Sequence, residues 1–170
     1  FAGATNWSFL RAGEVYPGYP KYRELQYGHA DGNQWVAAEC DVSIRPGWFY
    51  HPEEDDRVKT VDELTDLYYR SVGHNATLLL NFPVDRDGLI HPTDSANAVN
   101  FHQNVQKQLA HNLLAGLSPK ASDERGRTFS AKAVTDGDYD TYWATNDDVI
   151  SATIEFDLPQ AEKINRMMLQ

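Results

Sequence analysis

The sequence predicts an α/β domain followed by an all-β domain, over residues 1–117 and 118–170. Two observations support this order. Up to about residue 117, apolar runs of strand length alternate with stretches of helical periodicity, whereas from residue 118 short β-type runs alternate with turns rich in Asp and Gly. The hydrophobic share of 41% and the charged share of 24% are those of folded domains rather than of disordered or fibrous chains.

The first predicted strand follows a long loop. Residues 1–33 are rich in Gly, Pro and Tyr and show little periodicity, which is typical of a loop. Residues 35–44 are mostly apolar, and Arg45-Pro46-Gly47 ends the run, as expected of a buried strand. Glu39 and Asp41 lie two residues apart inside this run, so they share one face of the strand.

A helix and a second strand follow. Thr60 and Glu63 have the spacing of a capping box, and apolar residues then recur at helical spacing over residues 61–72. Residues 76–82 form a continuous apolar run of strand length. Strand, helix and strand in this order predict a parallel α/β unit.

A longer helix is predicted to end the first domain. Thr93 or Asp94 can cap it, and a Gly and a Pro end it after about Leu114. In the second domain, residues 153–158 alternate polar and apolar side chains, which predicts a half-buried strand. Residues 165–169 predict a further strand.

Charge and cysteine content exclude several kinds of partner. The net charge of -10 opposes binding to nucleic acid or to anionic membrane surfaces, and the apolar runs are too short for a membrane helix. We therefore expect no nucleic-acid partner and no membrane insertion. Cys40 is the only cysteine, so neither an internal disulfide nor a thiolate-rich metal site can form. Neutral partners such as sugars remain open.

One long motif indicates a family. Residues 35–51 closely resemble the segment of glycoside hydrolase family 29 α-L-fucosidases that carries the catalytic acid/base, and they read Trp-Val-Ala-Ala-Glu-Cys-Asp-Val-Ser-Ile-Arg-Pro-Gly-Trp-Phe-Tyr-His. Residues 3–8 and 78–83 support the match on either side. The resemblance covers roughly residues 1–117 and is nearest the branch that prefers α-1,3- and α-1,4-linked fucose. It implies the second half of a (β/α)8-like barrel, and the missing upstream half is expected to lie outside this sequence, which does not begin with Met.

The resemblance implies that Glu39 is the general acid/base of a retaining double displacement. It places Glu39 at the C-terminal end of a barrel strand, where such sites are built. A glycosidic oxygen leaves readily only when it is protonated, and a glutamic acid can supply that proton and later accept one from water. Asp41 is the alternative, because it shares the same face. The nucleophile of this family is an aspartate in a Trp-x-Asp motif, which the sequence lacks, so this chain alone is not expected to turn over.

Further residues are implied in sugar binding. Trp48 is a candidate platform for the apolar face and methyl group of fucose, since CH groups pack on aromatic rings. Its alternative role is core packing. Arg45 is expected to orient Glu39 or to reach a sugar hydroxyl, His51 to contact the rest of the glycan, and Trp7 to contribute from the upstream motif. No cofactor is expected for catalysis.

The second domain contains a loop that resembles the first loop of discoidin-like domains, the fold of family 32 carbohydrate-binding modules. The loop covers residues 133–143, and the resemblance implies the start of such a β-sandwich, incomplete in this chain. Oxygens of Asp136, Asp138 and Thr141 are the ligands that a structural Ca²⁺ would take. An ordinary Asx turn explains the same residues equally well.

Two other groups receive a structural interpretation. The acidic run at residues 53–56 predicts a solvated loop, because four adjacent carboxylates cannot all point inward. The histidines show no metal-binding spacing and are interpreted as surface or cap residues, and they include His29 and His91.

The sequence thus predicts a retaining exo-α-L-fucosidase acting on a fucosylated oligosaccharide or glycoconjugate. The alternative is a non-catalytic fragment that binds glycans or acts as a scaffold. The resemblance also implies a periplasmic or secreted protein.

Overall fold

The computed structural model describes residues 9–14, 16, 18, 20, 24 and 28–169. The chain folds as two compact units, Phe1–Leu109 and Ala110–Gln170. The predicted boundary after Leu117 lies inside the second unit.

A short antiparallel pair opens the first unit. Strand β1, Phe9–Leu10, pairs with strand β2, Gln34–Trp35, so part of the segment predicted as a loop is paired. Gly32 lies against β1, and a Cβ there would meet the Phe9 carbonyl carbon at 2.7 Å. This position therefore requires glycine.

The centre of the first unit is a β–α–β arrangement. Strand β3, Ala38–Ser43, and strand β4, Ala76–Asn81, are parallel neighbours, and helix α1, Val61–Ser71, lies between them in sequence. This order confirms the prediction of a parallel α/β unit. The predicted strand at 35–44 is shorter than expected because Trp35 belongs to β2.

The two faces of the β3–β4 pair differ. On one face, Val42 and Ile44 are buried against Leu64 and Leu67 of α1. Cys40 is buried on the same face, against Ala76. The other face carries a mixed polar and apolar set in matching register: Glu39 beside Thr77, Asp41 beside Leu79, and Ser43 beside Asn81.

The predicted capping box starts α1. The Thr60 side chain accepts a hydrogen bond from the Glu63 backbone N–H, and the Glu63 side chain accepts one from the Thr60 backbone N–H. These two contacts satisfy amide groups that have no partner inside the helix. The helix continues into a 3-10 turn that ends at Asn75, whose φ of 61° is left-handed and reverses the chain into β4.

Helix α2 spans Pro92–Leu109, which corrects both predicted ends. It begins earlier because a proline at the first position needs no N–H donor and its fixed φ suits a helix. It ends earlier because Asn112 starts a turn, in which its side chain accepts from the Leu114 N–H. Helices α1 and α2 contact through an edge-to-face pair of Tyr68 and Phe101.

The second unit contains little regular structure. Strand β5, Lys120–Ala121, pairs antiparallel with strand β6, Ile154–Glu155. The strand predicted over residues 153–158 is therefore reduced to two residues. Residues 165–169 form no strand, which corrects the prediction, because β-type side chains alone do not supply the ladder partner that a strand requires.

Within the part of the chain that the structure describes, no helix is long and apolar enough to cross a membrane.

Candidate active site

Glu39 and Asp41 both project from the face of β3 that is turned away from the core. Both are exposed, and they alternate with the buried Cys40 and Val42. Glu39 is the second residue of β3, which ends at Ser43. At the rise of a strand, Glu39 lies about 13 Å from that end. The prediction that Glu39 stands at the C-terminal end of its strand is therefore wrong. Asp41 lies two residues nearer to that end.

The loop that follows β3 presents aromatic side chains. Trp48 is 50% exposed, Phe49 is 79% exposed, and Tyr50 is half-buried. His51 is also exposed and precedes a 3-10 turn at Pro52–Glu54. Trp48 is thus only partly enclosed, which leaves ring surface for the sugar contact that the sequence predicts.

Arg45 lies inside the protein at the base of this loop, with 1% of its surface exposed. Its Nε and Nη2 donate to the two carboxylate oxygens of Asp94 at 2.8 and 2.9 Å. Its Nη1 donates to Asp55 at 2.9 Å and, more weakly, to the backbone oxygen of His51 at 3.5 Å. The hydrogen bonds to Asp94 and, to a smaller extent, the one to Asp55 raise the pKa of Arg45, although burial opposes them.

This arrangement revises the predicted role of Arg45. Its hydrogen bonds go to Asp94, Asp55 and the His51 carbonyl rather than to Glu39, and its enclosure leaves no surface for a sugar hydroxyl. Arg45 therefore holds the loop from within.

Tyr50 and His91 extend the network. The Arg45 guanidinium lies 4.7 Å from the centre of the Tyr50 ring, which stacks on His91. The Tyr50 hydroxyl donates to Asp55 at 3.4 Å, and His91 approaches the same carboxylate at 3.6 Å. Desolvation, followed by the negative charge of Asp55, raises the pKa of Tyr50. The prediction of a wholly solvated loop at residues 53–56 is thus wrong for Glu54 and Asp55. His91 directly precedes α2 and its Nδ1 accepts from the Thr93 N–H, which confirms its interpretation as a cap residue, whereas His29 is buried.

Asn81 connects the end of β4 to the loop. Its Nδ2 donates to the Ser43 hydroxyl and to the backbone oxygen of Trp48, both at 3.1 Å. Asn81 belongs to the same face of the strand pair as Asp41. It therefore links the carboxylate-bearing face to the segment that carries Trp48.

Sequence reasoning missed Asp55, Asp94, Asn81 and His91. Asp94 was assigned to a helix cap and Asp55 to an acidic loop, and each is a common local role for its residue type. The signal that could have found the pair is the internal Arg45, because a buried guanidinium requires carboxylate partners. Trp7 lies outside the described residues, so its predicted role is not tested.

In the second unit, Asp136, Asp138 and Thr141 are brought together. The Asp136 carboxylate accepts from the Asp138 backbone N–H at 2.9 Å and from the Thr141 hydroxyl at 2.7 Å. This is the Asx turn that the sequence left open as an alternative. Among the described residues, no group of three His, Cys, Asp or Glu side chains lies close enough to hold a metal ion. A Ca²⁺ role stays a prediction.

The sequence of the chain is similar to those of known proteins. The chain is 37% identical over 175 residues to a candidate α-L-fucosidase 1 of Oryza sativa subsp. japonica, a match that covers 99% of the chain. It is 38% identical over 151 residues, 84% of the chain, to α-L-fucosidase 1 of Arabidopsis thaliana.

The chain is related to the α-L-fucosidases of glycoside hydrolase family 29.

The relationship extends to solved structures. A candidate α-L-fucosidase of Bacteroides thetaiotaomicron matches 94% of the chain with 43% identity and a TM-score of 0.81. A family 29 fucosidase of Ruminococcus gnavus, solved in complex with fucose, matches 91% of the chain with 32% identity and a TM-score of 0.72. No family model matches the chain.

These matches cover only part of each relative. The chain spans 33% of the rice protein and 28% of the Arabidopsis protein, so about a third of the curated relatives it matches. Of the two solved chains it covers 35% and 32%.

Proposed function

We propose that the protein containing this chain is a retaining exo-α-L-fucosidase. The observation that carries the proposal is the similarity of nearly the whole chain to named α-L-fucosidases, at 37% identity over 99% of its length. The exposed carboxylates of Glu39 and Asp41, together with the half-exposed Trp48, supply side chains suited to such a reaction.

In the proposed reaction, Glu39 is the acid/base and the nucleophile is a carboxylate outside this sequence. The nucleophile attacks C1 of fucose while the C1–O bond breaks, and the leaving oxygen takes its electron pair and the proton of Glu39. Water then loses a proton to Glu39 as its oxygen attacks C1 and releases the enzyme carboxylate. Two inversions at C1 return the α-anomer.

The proposal includes several finer points. The preferred substrates are glycans or glycoconjugates with terminal α-1,3- or α-1,4-linked fucose. The first unit contributes the second half of a (β/α)8-like barrel, and the second unit begins a discoidin-like module with a structural Ca²⁺ at Asp136, Asp138 and Thr141. The protein acts in the periplasm or outside the cell.

The test compares two carboxylate substitutions in the full-length protein. Fucose release from an α-1,3/4-fucosylated trisaccharide is measured by proton NMR, so that the first anomer formed is visible. We expect Glu39→Gln to lower the rate by about 10²–10⁴-fold, the usual contribution of general acid–base catalysis. Asp41→Asn is the matched control on the same face, and we expect its rate to change far less.

Each outcome decides a separate point. The reverse order of the two variants would assign the proton transfer to Asp41. Release of the β-anomer first would contradict retention. Absence of fucose release from the folded wild-type protein, combined with glycan affinity, would favour the non-catalytic glycan-binding alternative.

A further inference from the structure

The segment from Trp48 to His51 has no regular secondary structure, yet its backbone is held at both ends. At one end, the Trp48 carbonyl accepts a hydrogen bond from Asn81 at 3.1 Å. At the other, the His51 carbonyl accepts from Arg45 at 3.5 Å. The aromatic side chains between these contacts remain exposed or half-exposed.

The charges beneath the segment are unusually well enclosed. The side chains of Arg45 and Asp94 are both 0% exposed, and they form a bidentate pair across 49 residues of sequence. Removing two charges from water costs several kcal/mol per ion, and the attraction between them often only balances that cost. Replacing such a pair by well-packed apolar residues of similar volume is often neutral or stabilising. Arg45 makes contacts that an apolar residue could not make, because its Nη1 also donates to Asp55 and to the backbone oxygen of His51.

Helix α2 fixes the position of Asp94. It lies in the first turn of the helix, two residues after Pro92, and its carboxylate faces the guanidinium. Arg45 in turn directly follows Ile44, which is 0% exposed in the core. Arg45 and Asp94 are thus both attached to packed elements. The Trp48–His51 segment, which Arg45 contacts, is therefore held in a fixed position.

We propose that Asp94, acting through Arg45, and Asn81 are positioning residues for sugar binding, which hold the Trp48–His51 segment in the orientation that presents Trp48. This inference rests on the proposed function, since it concerns the same sugar site. It assigns Asp94 and Asn81 a role that the sequence analysis does not. Neither Asp94 nor Asn81 is required to touch the sugar.

The first arm of the test measures position without activity. In the full-length protein, Asp94→Asn replaces an acceptor oxygen with an NH₂ group that faces the guanidinium. We expect the ¹⁵N order parameters of the backbone amides within residues 47–51 to fall from the rigid range of about 0.85 to below about 0.6, because the charge-assisted pair is lost. Asp66→Asn is the control, since Asp66 pairs with Arg70 on the exposed face of α1, and we expect no change in the loop.

The second arm measures sugar binding through a double-mutant cycle. We expect Asp94→Asn to raise KM for a fucoside by about 10-fold and to change kcat less, because misplacing a binding group weakens binding. In a Trp48→Ala background, the same substitution should raise KM by less than about 2-fold, since its effect passes through Trp48. Asn81→Ala, at a half-buried site, provides the same test should Asp94→Asn fail to fold.

The two arms fail differently. Unchanged order parameters in residues 47–51 for both Asp94→Asn and Asn81→Ala would overturn the positioning role. Equal KM effects in the wild-type and Trp48→Ala backgrounds would show that the substitutions act by general destabilisation, which also overturns it. Absence of any fucosidase activity, with lowered order parameters in residues 47–51 still present, would refute the proposed function and the sugar role but not the anchoring of the loop.

Discussion

At the scale of single residues, the positions of the carboxylates determine what each can do. Glu39 and Asp41 are exposed and separated from the helices by the strand pair. Asp94 is fully enclosed and neutralised by Arg45, so it is unavailable for proton transfer. Asp136 is exposed in a tight turn whose polar atoms satisfy one another. Carboxylates therefore occur here in three settings: on an exposed strand face, in a buried ion pair and in a tight turn.

The turn at Asp136 has a testable pH dependence. The Asp138 backbone N–H and then the Thr141 hydroxyl lower the pKa of Asp136. A lowered folded-state pKa means that the contribution to stability is present above the unfolded pKa, about 4, and is lost as pH falls through the folded pKa. We expect the Asp138 amide resonance to show a titration component with a midpoint below pH 4, and this component to be absent in Asp136→Asn, which keeps an acceptor oxygen but cannot titrate there.

The same resonance tests the proposed Ca²⁺. At neutral pH, addition of Ca²⁺ should shift the amide signals of Asp136 and Asp138 in the wild type and leave them unchanged in Asp136→Asn. Unchanged wild-type signals at millimolar Ca²⁺ would leave only the Asx turn.

At the scale of elements, the capping box defines the start of α1. The pKa of Glu63 is lowered by the hydrogen bonds from the Thr60 backbone and hydroxyl, which favour the ionised carboxylate at the helix N-terminus. Thr65 and Ser71 instead return hydrogen bonds to carbonyls one turn back, at 2.7 and 2.6 Å. Such contacts do not add to helix stability.

We therefore expect Thr60→Ala to destabilise α1 by about 1 kcal/mol, the usual cost of losing an N-cap side chain. Hydrogen exchange of the first amides of α1 measures the loss directly. Thr60→Ser retains the hydroxyl and should keep most of the protection. An equal loss in both variants would mean that the methyl group, and not the cap, stabilises the helix start.

Elements were predictable from the sequence where local chemistry defines them. The capping box fixed the start of α1 at Val61, and the apolar runs located β3 and β4 to within a few residues. Prediction failed where partners lie far apart in the chain. Gln34 and Trp35 pair with β1, and Asp94 pairs with Arg45, which lies 49 positions away in the sequence. Residues 165–169 have a strand-like composition but pair with no other strand.

The candidate site was predicted in the same uneven way. The resemblance over the 17 residues 35–51 predicts roles for Glu39 and Trp48 from their places in that run. It did not supply Asn81 or Asp55, whose contributions are hydrogen bonds between segments and leave no periodic trace. The position of Glu39 along its strand was also beyond sequence reasoning, because strand ends depend on pairing.

At the scale of the whole molecule, the first unit places packing and chemistry on opposite sides of one strand pair. Val42 and Ile44 contact the helices, while the carboxylates at the alternate positions face away. The core can be tested without altering a single candidate site residue.

Leu64 is the sharpest probe of this core because it is 1% exposed. We expect Leu64→Ala to reduce the free energy of opening β3 and β4 by about 2–5 kcal/mol, from lost burial and the cavity left behind. Hydrogen exchange of the strand amides measures it. Leu89→Ala is the matched control, since Leu89 is 64% exposed, and its effect should stay within about 0.5 kcal/mol. Equal effects would place Leu64 outside the cooperative core.

The buried Cys40 allows opening of this unit to be measured by its reaction with a thiol reagent. It is the only thiol in the sequence, it is 0% exposed, and it stands between Glu39 and Asp41 on the opposite face of the same strand. A thiol reagent can reach it only when β3 leaves β4, because modification requires an accessible thiolate. The rate at which Cys40 is alkylated therefore reports how often the carboxylate-bearing strand opens, without a substrate or any engineered residue.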